Sequence, residues 1–196
     1  ARRTKDAKLI EVLHESSNRV KSVALIHQRL QQSKDTVSVE LSEYVRDLAA
    51  VLLHSSGRDT AVIKLNLDLE KNVIIGIDTA VPCGLIVNEL VSNSLRHAFP
   101  GGQGGEISIS LHSDDGGAIV LVVEDNGIGL PSGMDIRQTD SLGMQLVVSL
   151  VSQLGGSMEI HSGGGTRFTI HFREDGLPDA EERLREAAAC GGAASR

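Results

Sequence analysis

The stretch "VEDNGIGLP", residues 123–131, places an acid, an amide and two glycines directly after a run of strand-forming residues. A tight turn would account for Asn126 and Gly127, because this dipeptide readily adopts positive φ. It would not account for Asp125 or for the second glycine, Gly129. A carboxylate at the end of a buried strand can accept a hydrogen bond from an exocyclic amine, and glycine lets the backbone lie against a flat ring. The stretch therefore fits either a plain hairpin or a binding loop.

The segments on either side of this loop alternate between strand and helix patterns. Strands are predicted where apolar residues recur at every second position or run between turn signals. They lie at residues 61–70, 72–77, 106–112, 118–125, 157–162 and 166–172. Helices are predicted at residues 42–54, 78–98 and 142–154. Hairpin-linked strands with interspersed helices predict an α+β fold, with a mixed, mostly antiparallel sheet and helices on one face.

Two of the predicted helices carry start signals. Ser42 is the expected N-cap of the first helix, because its hydroxyl can accept a hydrogen bond from a free backbone amide. Asp78 or Thr79 is the expected N-cap of the second helix, with Pro82 in its first turn.

Length and composition limit the classes of protein to which this chain can belong. At 196 residues it is predicted to form one domain, or one domain with an appendage. Its formal net charge of −7 argues against sequence-independent binding of nucleic acid, which requires a basic surface. No apolar run approaches the roughly 20 residues that span a bilayer, so we expect no membrane contact. Two unclustered cysteines, Cys83 and Cys190, and seven scattered histidines predict a cytoplasmic setting without a zinc site.

Residues 6–32 contain neither glycine nor proline and are predicted to form one long helix. Residues on one face recur at spacings of four and three, the heptad pattern of a coiled coil or helical bundle. They are Leu9, Leu13, Ser16, Val20, Val23, His27 and Leu30. No second helix of this kind lies nearby in the sequence. We therefore expect residues 6–32 to form a homodimer contact, or to be one half of a helical hairpin.

The predicted helix "LIVNELVSNSLRHAF", residues 85–99, carries an acid, an amide and a guanidinium on one face. Glu89, Asn93 and Arg96 lie at positions i, i+4 and i+7. Such a stripe is common on a solvated surface. It could also hold a metal-bound polyphosphate, because an amide oxygen suits Mg²⁺ and a guanidinium suits phosphate oxygens. Glu89 could then orient or deprotonate a nucleophile.

Two further glycine-containing segments follow the binding-loop candidate. Gly143 opens a predicted helix whose N-terminal amides could face phosphates. Gly165 and Thr166 end a run of glycines with a hydroxyl donor that enters a strand. Each segment is a weak signal by itself, but the order and separation of all four segments together form a strong one.

That set of segments resembles a known ATP-binding domain. The four quoted pieces are "NELVSNSLRHAFP", "VVEDNGIGLP", "SLGMQLVVSLVSQLGG" and "GGGTRFTIHF". They look like the domain shared by histidine kinases, gyrase-type topoisomerases, Hsp90-like chaperones and MutL-type repair proteins. "NRVKSVALIHQRL" followed by "LSEYVRDL" also resembles the second half of the dimerisation hairpin in sensor histidine kinases of the HisKA type-two group, sister to the HWE kinases. The absence of Trp and the pair Asn88-Glu89 fit this group better than HWE kinases proper, and the resemblance covers about residues 3–173.

The resemblance implies roles at the triphosphate end of the site. Glu89 occupies the position of the catalytic acid, and Asn93 that of the Mg²⁺ ligand. Arg96 and His97 stand where side chains of this family approach the phosphates and the nucleoside. Arg96 is also expected to be catalytic. Gly143 belongs to the segment that follows the lid over ATP.

The resemblance also implies roles at the adenine end. Asp125 would accept a hydrogen bond from the adenine amine, with Gly127 and Gly129 shaping the pocket around the ring. Thr166 would help to close the site. The lid between Gly129 and Gly143 is expected to be short, as it is in this group.

The domain organisation implied by the resemblance has three parts. Residues 1–33 would be a dimerisation helix, the second of its hairpin. Residues 34–174 would form the catalytic domain, a two-layer α/β sandwich of the Bergerat type. Residues 175–196 would be a mobile tail.

The implied activity is transfer of the γ-phosphoryl group of ATP to a histidine, and then to an aspartate on the receiver domain of a response regulator. The acceptor histidine in this family lies on the first hairpin helix, so we expect it upstream of this chain and expect neither His14 nor His27 to be the acceptor. The chain is therefore predicted to bind ATP without phosphorylating itself. The parent protein could be soluble or membrane-anchored.

Three other classes of function are alternatives to this activity. Serine-kinase anti-sigma proteins use the same pocket in a regulatory binding module, but they do not need a heptad helix. Gyrase-type and Hsp90-type ATPases carry further domains that nothing here resembles. A purely structural dimerisation module would not bind nucleotide.

Overall fold

The computed structural model describes residues 20, 24–25, 38–56, 62–114, 117–131 and 141–174. Val20, Ala24 and Leu25 are helical. The rest of the predicted dimerisation helix, residues 132–140 of the predicted lid and the tail from residue 175 lie outside the described residues. The predictions of a homodimer contact, a short lid and a mobile tail therefore stay predictions.

Between residues 38 and 174, the described residues form seven strands and three α-helices. The strands are β1 (Ser38–Glu40), β2 (Ile63–Leu69), β3 (Ile74–Gly76), β4 (Gly105–Ser113), β5 (Ile119–Asp125), β6 (Ser157–Ser162) and β7 (Thr166–Phe172). The helices are α1 (Leu41–Ser55), α2 (Ile77–Asn93) and α3 (Leu142–Gln153). A π-helical turn (Ser94–Ala98) continues α2, and a short 3₁₀ turn (Pro100–Gly102) follows it.

Five strands form the main sheet in the order β2-β4-β5-β7-β6. β2 and β4 are parallel, and the other neighbouring strands are antiparallel. The register places Asp125 at the end of β5 opposite Ile107 on one side and Thr166 on the other. The predicted α+β class, with a mixed and mostly antiparallel sheet, is confirmed.

The core lies between one face of this sheet and the three helices. Alternate residues of the central strands are fully buried because the side chains of a strand point to opposite faces. On β4 and β5 these residues are Ile107, Ile109, Leu111, Ile119, Leu121 and Val123. Buried residues of the helices belong to the same apolar cluster, among them Leu48, Ile86, Leu90 and Val147. The chain contains only 2% aromatic residues, so aliphatic side chains fill most of this space.

A second, two-stranded sheet was missed by the sequence patterns. β3 lies within the strand predicted at residues 72–77. β1, which pairs with β3 in antiparallel fashion, was not predicted, because its three residues show no alternation. The prediction that Ser42 caps α1 is wrong. Glu40, the last residue of β1, is the N-cap, and its carboxylate accepts hydrogen bonds from the Glu43 amide at 2.7 Å and from the Ser42 hydroxyl at 2.8 Å.

The predicted start of α2 is also corrected. The helix begins at Ile77 after Gly76, so that neither Asp78 nor Thr79 is the N-cap, and Pro82 lies in the second turn. Glu174, just beyond β7, supplies the missing acceptor, because its Oε1 accepts a hydrogen bond from the Gly76 amide at 2.8 Å. A carboxylate at this place also complements the positive end of the helix dipole. A partner so distant in sequence is not visible to local patterns.

Candidate functional site

A cavity of about 540 Å³ opens where the end of α2, the loop after β5 and the start of α3 meet. Apolar side chains form much of its wall, and a few polar groups converge on it. Its lining consists of Leu90, Asn93, Ser94, His97, Ala98, Asp125, Ile128, Gly129, Leu130, Pro131, Ser141, Met144, Thr166 and Phe168. Among the residues predicted for the site, it therefore brings together Asn93, His97, Asp125, Gly129 and Thr166.

Asp125 is buried, and its carboxylate is held by three donors. The Ser94 hydroxyl donates to Oδ2 at 2.8 Å, while the amides of Gly127 and Thr166 donate to Oδ1 at 3.1 and 3.3 Å. Asp125 is 5% exposed. Hydrogen bonds to a charged group are stronger than neutral ones, so these donors fix the carboxylate against the cavity. Ser94 was missed by sequence reasoning, and its only signal was a small hydroxyl residue directly after Asn93.

The loop after β5 is anchored at both ends of its first turn. The backbone amide of Asn126 donates to the carbonyl of Glu106 on β4 at 3.2 Å, and Asn126 Oδ1 accepts a hydrogen bond from the Glu106 amide at 2.8 Å. Ile128 donates its amide to the Ala98 carbonyl at 3.0 Å. These hydrogen bonds fix the loop beside the cavity. It is not a plain hairpin turn, because α3 and β6 lie between β5 and β7 in the chain.

Glycine is needed at the two loop positions for different physical reasons. A Cβ on Gly127 would lie 2.3 Å from the Ala98 carbonyl oxygen, so this glycine permits a close approach of two backbone segments. Gly127 does not line the cavity. Gly129 does line it and has a φ of +74°, a conformation that favours glycine.

The polar stripe on α2 is not a solvated surface. Glu89 is 1% exposed, and Asn93 is half-buried at the cavity wall. Arg96 Nη2 donates to Asn93 Oδ1 at 3.0 Å, and Arg96 Nε donates to the Ser92 carbonyl at 3.2 Å. The π-helical turn places Arg96 beside Asn93 rather than over the cavity, whereas the exposed His97 lines the cavity.

Glu89 lies beneath the cavity wall, between α2 and the first turn of α3. Its Oε1 accepts a hydrogen bond from Asn88 Nδ2 at 3.1 Å. A Cβ on Gly143 would lie 2.5 Å from Glu89 Oε2, so Gly143 makes room for this carboxylate. Met144, the next residue of α3, accepts a hydrogen bond from Asn93 Nδ2 at its sulfur, at 3.4 Å. Asn88 and Met144 were not predicted as site residues.

The donor set limits the kind of metal that this site suits. The described residues contain no group of three His, Cys, Asp or Glu side chains able to hold a metal ion. The amide oxygen of Asn93, at the cavity wall, is a hard ligand of the type that Mg²⁺ uses together with waters and phosphate oxygens. The residues present therefore fit a magnesium ion carried by a polyphosphate better than a metal in an all-protein cage.

None of the helices in the described ranges is both long enough and apolar enough to span a membrane.

Two family models match this chain. Residues 79–176 match the family described as histidine kinase-, DNA gyrase B-, and HSP90-like ATPase, and residues 1–56 match a family described as histidine kinase. The first match contains the cavity residues on α2, β5, α3 and β7.

Similar proteins and structures agree with these matches. The chain is 34% identical over 163 residues to the sensor histidine kinase PdtaS of Mycobacterium tuberculosis, covering 81% of this chain and 31% of PdtaS. It is 29% identical over 178 residues to the blue-light-activated histidine kinase 2 of Erythrobacter litoralis, covering 87% of this chain and 50% of that protein. The solved histidine kinase domain of E. litoralis EL346 superposes with a TM-score of 0.75 at 28% identity, covering 82% of this chain and 75% of that chain. The chain thus spans between about a third and a half of the length of these curated relatives.

Proposed function

The chain belongs to the histidine kinase-, DNA gyrase B- and HSP90-like ATPase family, and from this premise we propose that it is the catalytic ATP-binding core of a two-component sensor histidine kinase. The observation that carries the proposal is the buried carboxylate of Asp125, which three donors hold at the edge of a cavity of about 540 Å³. Across the cavity, α2 presents Asn93 and buries Glu89. The match of residues 1–56 to a histidine kinase model supports the kinase within this family of ATPases.

The adenine base of ATP would lie against Asp125. A carboxylate whose Oδ1 and Oδ2 already accept three hydrogen bonds still has acceptor capacity for one exocyclic amine. Apolar side chains around it, such as Ile128 and Phe168, would contact the faces of the ring. Gly129 would let the loop backbone approach the ring, and Thr166 would close the pocket beside the Asp125 carboxylate.

The triphosphate would extend from the adenine towards α2 and the start of α3. Asn93 would hold Mg²⁺, which neutralises charge on the phosphates and orients them for transfer. His97, exposed at the cavity wall, and Arg96, which donates to Asn93, would contribute positive charge or hydrogen bonds on this side. Glu89 would act on the incoming nucleophile, by orienting it or by accepting its proton.

Phosphoryl transfer would proceed from ATP to a histidine of a dimerisation hairpin, and then to an aspartate on a response-regulator receiver domain. The same proposal includes dimerisation through residues 6–32, domain limits at residues 33 and 174, and a cytoplasmic location. By this proposal neither His14 nor His27 is the acceptor. Incubation with γ-labelled ATP is therefore expected to leave the chain without acid-labile phosphate, and an acid-labile label would place the acceptor within it.

Calorimetric titration with ATP and Mg²⁺ tests the proposal. We expect one binding site in the unaltered chain and a loss of affinity of about 10- to 100-fold in Asp125→Asn, because an amide in place of the carboxylate weakens a charge-assisted hydrogen bond worth about 1.5–3 kcal/mol. Asp68→Asn is the matched control, since Asp68 is an exposed strand residue paired with His112 on another part of the sheet. Absence of binding in the unaltered chain, or equal affinities of both variants, would contradict the proposal.

A further inference from the structure

Asn88 is a buried polar residue that none of the roles above uses. It precedes Glu89 on α2, and both residues are 1% exposed. Side chains at adjacent positions of a helix normally do not face each other. The amide Nδ2 of Asn88 nevertheless donates to Glu89 Oε1 at 3.1 Å. The contact is therefore a specific feature of this turn of the helix.

The side-chain oxygen of Asn88 makes asparagine an unfavourable residue for the fold at this position. Asn88 Oδ1 is buried and accepts no hydrogen bond from the described residues. A buried polar atom without a partner destabilises the folded state relative to an apolar side chain of similar shape. Leucine has nearly the same shape and would avoid this penalty. The presence of asparagine is thus better explained by what its nitrogen does for Glu89 than by packing.

The Glu89 carboxylate is confined on its second oxygen as well. Glu89 Oε2 lies against Gly143, where a Cβ would be 2.5 Å away. With Oε1 held by Asn88 and Oε2 against the first turn of α3, little freedom remains for rotation of the carboxylate. The Asn88 amide presents its nitrogen to Glu89, and the carboxylate oxygen accepts the hydrogen bond.

We infer that Asn88 is a positioning residue for phosphoryl transfer, whose amide nitrogen fixes the orientation of the Glu89 carboxylate toward the incoming nucleophile. The inference rests on the proposed function, since that function gives Glu89 its role. General acid–base groups contribute roughly 10²- to 10⁴-fold to a rate, and small misplacements of a reacting group lose much of that factor. Loss of the Asn88 donor is therefore expected to slow turnover by about tenfold or more. Nucleotide affinity is expected to change little, because Asn88 does not line the cavity.

Asn88→Leu is the informative variant. Its affinity for a non-hydrolysable ATP analogue with Mg²⁺ is expected to stay within about twofold of the unaltered chain. Release of γ-phosphate to water under single-turnover conditions is expected to fall, while the midpoint of thermal unfolding stays equal or rises. Val87→Ala is the control, a fully buried neighbour on the same helix, which should lower the unfolding midpoint and leave turnover unchanged. A folded Asn88→Leu with unchanged turnover would overturn the inference.

A spectroscopic measurement gives a result that does not depend on turnover. The ¹³C resonance of the Glu89 side-chain carboxyl, assigned by its absence in Glu89→Gln, is expected to shift in Asn88→Leu and to stay in place in Val87→Ala. Asn88→Ala replaces Asn88→Leu if the latter does not fold, and the resonance decides alone if phosphate release is too slow to follow. A resonance that does not move in a folded variant without the donor would overturn the inference. Failure of the unaltered chain to bind the analogue would instead contradict the proposed function.

Discussion

Ser94 and Asp125 are joined by a hydrogen bond of 2.8 Å between two buried side chains. Ser94 is the first residue of the π-helical turn that continues α2, and Asp125 is the last residue of β5. The bond therefore ties the helix that presents Asn93 to the strand end that presents the Asp125 carboxylate. Together with the hydrogen bond from the Ile128 amide to the Ala98 carbonyl, this contact aligns the two sides of the cavity.

Replacement of Ser94 by alanine tests that contact. Ser94→Ala removes one of the three donors to a buried carboxylate, so we expect a loss of about 1–3 kcal/mol in the free energy of unfolding, measured with urea. ATP affinity should fall severalfold, because the carboxylate is less firmly oriented. Ser92→Ala, two residues earlier on α2, should change the free energy of unfolding by less than about 0.5 kcal/mol. Equal losses in both variants would show that the hydroxyl bond to Asp125 has no special importance.

Much of the fold could be predicted because its signals are local. The alternating strands β4, β5 and β7 bury every second residue over most of their length, and this period is visible in the sequence. The cap of α1 could not be predicted, because a three-residue strand shows no period and Glu40 is an unusual capping residue. The start of α2 depends on Glu174, which lies 98 residues away from Gly76 in sequence.

The candidate site was predictable in its residue types but not in its geometry. The positions of Asn93 and Asp125 followed from their motifs, and both line one cavity. The motif predicts that Gly143 lies near phosphates, and this stays a prediction; its contact with the Glu89 carboxylate was not predicted. Ser94 was missed because its role depends on the distance between a helix and a strand end, which no sequence period encodes.

The close approach of Gly127 to Ala98 gives a second prediction. Gly127→Ala would place a Cβ 2.3 Å from the Ala98 carbonyl oxygen, so the loop or the π-helical turn after α2 must shift. We expect a loss of about 1–3 kcal/mol in the free energy of unfolding, by analogy with overpacked cores, and weaker ATP binding. Gly163→Ala is the matched control, because no atom lies within 4 Å of its Cβ position. Its unfolding free energy should stay the same or rise slightly, and a loss as large as that of Gly127→Ala would contradict the steric explanation.

The buried pair of Cys83 and Tyr44 predicts how stability depends on alkaline pH. Burial raises the pKa of the Cys83 thiol well above its ordinary value of 9.0, and burial likewise raises the pKa of the Tyr44 phenol above 10.0. Above these ordinary values the unfolded chain releases protons that the folded chain retains. The contribution of both groups is therefore complete below about pH 8 and is lost progressively as pH rises towards their folded values.

Urea unfolding across pH 7–10.5 measures this loss. Each group is expected to lower the free energy of unfolding by about 1.4 kcal/mol per pH unit once it ionises in the unfolded chain. As pH rises, Cys83 reaches this point before Tyr44. Cys83→Ala should therefore show a shallower decline between pH 9 and 10 than the unaltered chain, whatever its stability at pH 7. Identical slopes for the two proteins would contradict a neutral buried thiol.

Removal of magnesium tests the proposed role of Asn93. Chelation of Mg²⁺ is expected to weaken ATP binding by at least about tenfold, because the Asn93 amide oxygen would hold the metal, which would offset the charge of the phosphates. Asn93→Ala removes that oxygen, so its ATP affinity should be low and nearly the same with and without Mg²⁺. Asn66→Ala, on the edge strand β2, should keep the full response to the metal. Arg96 also donates to Asn93, so Asn93→Ala could alter contacts between Arg96 and the phosphates. Such a change would leave the ratio of ATP affinities with and without Mg²⁺ unchanged. This ratio is therefore the quantity that tests the role of Asn93. An Asn93→Ala variant that retains the full ratio would remove Asn93 from the metal site.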